Sequence, residues 1–369
     1  MRVSFPYMGA TIIYGKLLEL LGHEVIMPPR PTRKTIELGV KYSPEFACFP
    51  FKVLLGTYLE CLDKGVDLFV TTGGQGPCRA GFYGELHKKI LENLGYEVDF
   101  IIFDPPWRGF EKFYKQILTL KKDNSWPEVL RVIHTVYQMC KSLDKIEKTI
   151  TTIRAYAGQE WAGLNKSWQD ILRAYSRIET ARDVARVEKE ALEEIKKYNL
   201  QLAPVEKRIR IGIVGEIYVV MEASINGNIE EILNSFGAEV ERSLYLSTYI
   251  DETIFPWIGR KEKEKLCQKA RGYINLNIGG HARLSVGQIV DFKDRGFDGV
   301  IHLKPFACLP ELISESMLEK LSADLDLPIL SLSIDEQTAE ANLLTRLDAF
   351  VDFIKYRKAN CEERMSLSG

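Results

Sequence analysis

The sequence predicts an α/β protein with two lobes built on parallel sheets and a helical insertion between them. Three observations carry this reading. The chain opens β-α-β: a short strand at Arg2–Pro6, 3.6-residue apolar spacing over Met8–Gly22, and a strand at His23–Met27 stopped by Pro28-Pro29. That order is the signature of a parallel sheet. From Phe110 to about Leu200 the strand signal disappears, leaving one proline (Pro127), hardly any glycine, and long helical segments rich in Lys, Glu, Arg and Ala. The second half then repeats the first. Asp63–Val70 (DKGVDLFV) aligns with Asp294–Ile301 (DRGFDGVI), and a turn bearing a cysteine follows each.

The expected boundaries are a first lobe over 1–107, a helical region of four or five helices over 108–205, a second lobe with a C-terminal helix over 206–357, and a tail over 358–369. At 369 residues the chain exceeds what one hydrophobic core usually serves, in keeping with two lobes. In the first lobe, an apolar helical run starts at Cys48 and is closed by Gly65, and Val66–Thr71 reads as a buried strand. The loop TTGGQGPC ends at Cys78; a helix over Leu86–Leu94 and a strand over Glu97–Phe103 follow. In the second lobe, strands are expected at Arg208–Val214, Glu239–Leu244, Asp298–Leu303 and Pro328–Ser333. Helices are expected at Ile229–Phe236, Glu262–Arg271, Ser285–Asp294, Glu315–Ala323 and Ala339–Tyr356, with fraying after Lys358.

A net charge of −2 gives no pull toward nucleic acid. The N-terminus lacks the small-residue cleavage site of a signal peptide. No apolar run reaches the roughly 18 residues of a membrane span. A cytoplasmic protein is the expectation. Seven cysteines are an odd number, and a large cytoplasmic chain does not need disulfides, so metal or redox use of some is favoured.

Three cysteines stand out by position. Cys48, Cys78 and Cys308 each lead from a turn into a helix, where the helix dipole and free N–H groups favour a thiolate. Cys48 and Cys308 are each followed within two residues by proline, and Cys78 is preceded by one, which stiffens each loop. The glycines of TTGGQGPC let backbone approach a bulky inorganic core. Taken singly, each thiol reads as a small buried hydrophobe; three in equivalent loops read as a shared site. Zinc normally takes four ligands, so three thiolates without an obvious fourth fit an iron–sulfur cubane with one open iron better. Cys61, Cys267 and Cys361 lie on helical faces or in the tail and are read as non-ligands, as are His134 and Cys140 in the helical region.

The segments CFPFK, GGQGPCRAGFYGE, GEIYV (Gly215–Val219), GGH (Gly279–His281), KPFACLPE and SIDEQTAEANLLTRLDAFVDF together resemble the activase-related (CoA protein activase) branch of the 2-hydroxyacyl-CoA dehydratase and benzoyl-CoA reductase superfamily, which also holds the double-cubane cluster proteins. The resemblance spans most of both lobes and is weak in the helical middle. It implies two flavodoxin-like lobes with an oxygen-sensitive [4Fe-4S] cluster between them, on Cys48, Cys78 and Cys308. It also implies an ATP-dependent activase as electron donor, an acyl-CoA ligand, and a second subunit of the same family or a homodimer. Without a second set of three cysteines, a single cubane is expected. No Walker-type loop is present, so the chain is not itself the activase ATPase. GEIYVVMEASINGN offers no acid or base assignable to a substrate.

His281, where the repeat places the counterpart of Cys48, is a candidate for a sulfide hydrogen bond or a fourth ligand, with helix capping as the plainer role. Arg79 and Lys52 border the cysteines and are candidates for offsetting cluster charge or meeting a CoA phosphate, with loop bracing as the plainer role. Glu85 and Glu311 are expected to cap helices, and His302 to be structural. Two other readings stand beside the electron-transfer one: a non-catalytic cluster carrier or accessory protein for an activase, and a metal-free two-lobed binder of small molecules.

Overall fold

The computed structural model describes residues 1–73, 78–104, 109–198, 200, 202–204, 207–253, 256–338 and 340–367, leaving aside the side chains at 253, 256, 257, 340 and 361–367. The expected boundaries at 107 and 205, and half of the TTGGQGPC loop (74–77), lie outside the described residues.

Two four-stranded parallel sheets form the frame. In the first, β1 (Arg2–Ser4), β2 (Glu24–Val25), β3 (Leu68–Thr72) and β4 (Asp99–Phe103) lie in the order β2-β1-β3-β4. In the second, β5 (Ile209–Gly215), β6 (Ala238–Arg242), β7 (Gly299–Pro305) and β8 (Ile329–Ile334) lie in the equivalent order β6-β5-β7-β8. Both orders are flavodoxin-like, and each places a switch point between its two central strands. β7 is buried along its whole length, as a central parallel strand covered on both faces must be.

The repeat seen in the sequence has a physical counterpart. Asp67 accepts the backbone N–H of Arg2 (2.8 Å) through Oδ2 and donates its own N–H to the Arg2 carbonyl (2.9 Å). Asp298 does the same to Arg210, at 2.8 Å for each bond. One aspartate per lobe therefore pins the start of the first strand against the third, which sets the register of both.

Among the described residues the helical region holds four α-helices, Phe110–Lys121, Trp126–Arg154, Trp161–Tyr175 and Ala181–Lys196, and no strand. Pro127 sits in the first turn of the 29-residue Trp126–Arg154 helix, where its missing N–H costs nothing. Glu128 accepts the Ser125 backbone N–H at that end (2.7 Å). This helix packs on Thr11–Leu20 of the first lobe and on β6, Ile229–Ser235 and Leu246–Thr253 of the second. Two polar anchors secure it. Asp144 accepts the Ser247 backbone N–H (2.7 Å), and the buried Arg242 guanidinium lies between Glu147 (2.6 Å) and Glu230 (2.9 Å) and over the Tyr245 ring (4.7 Å).

Several elements depart from expectation. The helices Arg33–Tyr42, Ile217–Met221 and Leu246–Thr253 were not anticipated from periodicity. The helix expected at Glu315–Ala323 is two, Leu309–Glu315 and Leu318–Leu325, because Cys308 and Pro310 start a helix earlier. The last helix runs Glu340–Leu367, past the point where fraying was expected.

Arg33–Tyr42 crosses the Cys48 helix (Phe49–Leu62) with backbones in contact: a Cβ at Gly56 would lie 1.9 Å from the Thr35 carbonyl oxygen, and one at Gly39 1.7 Å from that of Lys52. Gly56→Ala should therefore destabilise by about 1–3 kcal/mol, read as a lower urea midpoint. Asp144 supplies a pH test. Burial lifts its carboxyl from 3.8 to about 6 against the bonds from Ser247. The stability tied to the protonated form is present below 3.8 and lost as pH climbs through about 6. Asp144→Asn, which cannot ionise, should gain on the wild type by on the order of 2–3 kcal/mol between pH 4 and pH 7 in urea unfolding.

Candidate functional site

Each of the three singled-out cysteines stands one residue before a helical turn. Cys48 precedes Phe49–Leu62, Cys78 precedes the 3-10 turn Arg79–Phe82 that runs into Tyr83–Asn93, and Cys308 precedes Leu309–Glu315. All three have extended backbones there, and Pro50 and Pro310 occupy the first turns of their helices.

Arg79 brings the three loops together. Its Nη1 donates to the Phe46 carbonyl (2.9 Å), two residues before Cys48, and its Nη2 to the Ala307 carbonyl (2.5 Å), one residue before Cys308. Ala307 has φ 63°, a left-handed conformation that a side chain disfavours. Flanking bonds from Phe306 N–H to Ile334 O (2.9 Å) and from Cys308 N–H to Pro305 O (3.1 Å) hold it in place. Lys52 is buried and pairs across the lobes with Glu336 (2.6 Å). Arg79 and Lys52 are thus engaged with protein partners. His281 stands just ahead of the Ala282–Asp294 helix, the place Cys48 takes in the first lobe, but its side chain makes no capping hydrogen bond there; burial lowers its pKa, against the nearby Glu311 charge.

Sequence reasoning missed two groups here. Tyr83 bonds through its hydroxyl to the Cys48 sulfur. Glu216, directly after β5, caps Ile217–Met221, its Oε2 accepting the N–H groups of Tyr218 (3.0 Å) and Val219 (3.2 Å). Its charge is felt at Cys48, Cys78, Cys308 and Tyr83. The rule that ligands gather where a parallel sheet switches direction would have pointed to this loop, because β5 and β7 flank that point.

Glu311 was expected to cap its helix. Instead its side chain is fully buried, with Oε2 on His302 Nε2 (2.9 Å) and on the Ser314 hydroxyl (2.7 Å). An acid in the first turn of a helix led by Cys308 turns inward because a buried imidazole lies beneath it. Cys61 and Cys140 are buried, Cys61 contacting the Ser4 hydroxyl (3.5 Å), and His134 is exposed. The Cys361 side chain lies outside the described residues.

Burial is the leading influence on the three thiols. It pushes Cys48 up to about 11 and raises Cys78 and Cys308. Glu216 adds to the rise at all three, and Cys48 itself adds to it at Cys308. The backbone amides of Phe51, Ala80 and Glu311 work the other way, as does Arg79 at Cys48 and Cys78. Burial also lifts Glu216 to about 7. The cleft therefore holds three thiols and two acids with one nearby guanidinium, itself bound to carbonyls. Ionising such a donor set calls for added positive charge, which a metal centre supplies. Among the described residues, however, no three His, Cys, Asp or Glu side chains are gathered into a metal-holding group. Arg79 ties the three cysteine loops together, but among the described residues their sulfurs do not close into a ligand shell.

Residues 2–70 match the family model described as the CoA enzyme activase uncharacterised domain. The matched segment runs from β1 into β3 and includes Cys48, and it supports the activase-related part of the resemblance. No curated protein matches the chain. Among the described residues, no helix is long and apolar enough to cross a membrane.

Arg79→Ala should release the Phe46 and Ala307 carbonyls, so amide exchange around 46–48 and 305–308 should speed up while the sheets stay protected. Arg79→Lys should not restore protection, since an ammonium lacks the rigid fork that spans two carbonyls. Unchanged exchange in Arg79→Ala would remove this residue as the brace.

Proposed function

We propose that this is an iron–sulfur protein of the 2-hydroxyacyl-CoA dehydratase type, with a [4Fe-4S] cluster held by Cys48, Cys78 and Cys308 between the lobes for low-potential electron transfer. The observation that carries the reading is the convergence of three helix-leading cysteine loops on Arg79, with Glu216 close enough for its charge to bear on all three thiols. Three thiolates without an obvious fourth ligand suit a cubane with one open iron better than zinc, which normally takes four ligands. When bound, the cluster supplies one electron at low potential. The chain's own residues do the rest. The Phe51, Ala80 and Glu311 amides favour thiolates, Tyr83 orients Cys48, and Glu216 faces the centre with a carboxyl near neutrality.

The partners in this reading are an ATP-dependent activase as electron donor, a second subunit or copy of the chain, and an acyl-CoA thioester. Exposed apolar side chains beside the cysteines support a docking partner: Phe46 is 76% exposed, Phe82 67%, Phe306 57% and Leu309 56%. A second reading is an accessory protein or cluster carrier for an activase, favoured by the activase description of the domain matched over 2–70. Turnover of acyl-CoA esters in the presence of activase and ATP separates the two.

Anaerobic purification followed by iron, sulfide and EPR analysis tests the cluster. Cys78→Ser should abolish iron retention, whereas Cys61→Ser, altering a core thiol, should keep it. Equal iron in both variants would end the assignment.

A further inference from the structure

Beneath the Cys308 loop, hydrogen bonds run unbroken from the buried Glu311 carboxyl to solvent. Glu311 Oε2 lies 2.9 Å from His302 Nε2, and His302 Nδ1 lies 3.1 Å from the Ser331 hydroxyl. That hydroxyl donates to Glu315 Oε1 (2.8 Å), and Glu315 Oε2 faces Lys304 Nζ (3.2 Å). His302 and Glu311 are fully buried, while the Glu315 side chain is 36% exposed.

The directions of these bonds count the protons. Ser331 has one hydroxyl proton and gives it to the Glu315 carboxylate, so it can only accept from His302, and Nδ1 must carry a hydrogen. At the other side of the ring, Nε2, Glu311 Oε2 and the Ser314 oxygen form a triangle of 2.9, 2.7 and 3.2 Å. Ser314 brings one proton to that triangle, which is too few for three mutually close acceptors. A further proton must therefore sit in the triangle, on Nε2 or on Oε2, all the more because the Ser314 hydroxyl also reaches the Glu311 carbonyl (3.0 Å). It makes either a neutral imidazole facing a carboxylic acid or an imidazolium facing a carboxylate, and the pair is neutral in both forms.

We propose that the Glu311–His302 hydrogen bond stores one exchangeable proton at the cysteine cleft and trades it with solvent through Ser331 and Glu315. For export, the Nδ1 proton passes to Ser331 as the Ser331 proton passes to Glu315, while the stored proton settles on Nε2 and leaves Glu311 a carboxylate; a proton returning through Glu315 and Ser331 to Nδ1 refills the store. Rotation of the Ser331 hydroxyl reverses the direction. The groups that bear on the store are His281, Glu216, Cys78 and Cys308 from the cleft side, Ser285 on Glu311 Oε1 (3.4 Å), and Glu315 with Lys304 on the solvent side. The store stands on these hydrogen bonds and does not rest on the cluster reading above.

Nitrogen-15 spectra of the histidine rings in the metal-free full chain decide the matter, with His302→Gln identifying the signals. His302 should show a protonated Nδ1 and an Nε2 shift between the protonated and bare values. In Glu311→Gln, Nε2 should move to the bare value while Nδ1 stays protonated. In Ser331→Ala, exchange of the ring protons with solvent should slow several-fold. A bare Nδ1 in the wild type, or an unaltered Nε2 in Glu311→Gln, overturns the store; an unaltered exchange rate in Ser331→Ala overturns the route.

Discussion

The rest of the site depends on one guanidinium holding two backbone carbonyls that belong to different lobes. A planar fork with fixed donor directions can do this, and a point charge on a flexible stem cannot. Because Arg79 follows Cys78 directly, the same residue that links the lobes also fixes where the third cysteine loop sits. The left-handed Ala307 is the local cost of presenting its carbonyl to that fork.

Around this brace the cleft is electrostatically one-sided. Buried thiols beside Glu216 and Glu311 resist ionisation, and the helix-start amides only partly offset that resistance. A structural core avoids such a concentration of acids, and in the function proposed above it readies the site for a cationic centre. The Glu311–His302 pair fits the same picture from below: the second lobe places a neutral, proton-bearing couple where a change of charge in the cleft would be felt most.

Much of the fold was legible in the sequence because it follows from local rules. The strand-helix alternation, the strandless helical middle and the Asp67/Asp298 repeat all express periodicity and turn chemistry within short windows. The cysteines were legible for the same reason, since a residue just ahead of a helix is a local fact. Glu216 and Tyr83 were not, because their roles come from loops meeting across the cleft. Glu216 lies in GEIYVVMEASINGN, read as offering no assignable acid, and Tyr83 reaches Cys48 over 35 positions of sequence. Glu311 was misjudged because a first-turn acid normally serves its own helix, and nothing within a few residues announces the imidazole of His302 beneath it. Arg33–Tyr42 escaped notice because its fit depends on Gly39 and Gly56 letting two backbones touch, a tertiary contact rather than a pattern.

The Trp126–Arg154 helix, roughly 43 Å long at the usual rise per residue, lies against both sheets' helical layers at once. Neither half of the polypeptide therefore owns a finished flank. Severing the chain past this girder would strand its apolar stripe on one fragment and leave the facing surface of the other bare. Evolution by swapping or shedding one half is thereby discouraged, and the pair must be inherited together.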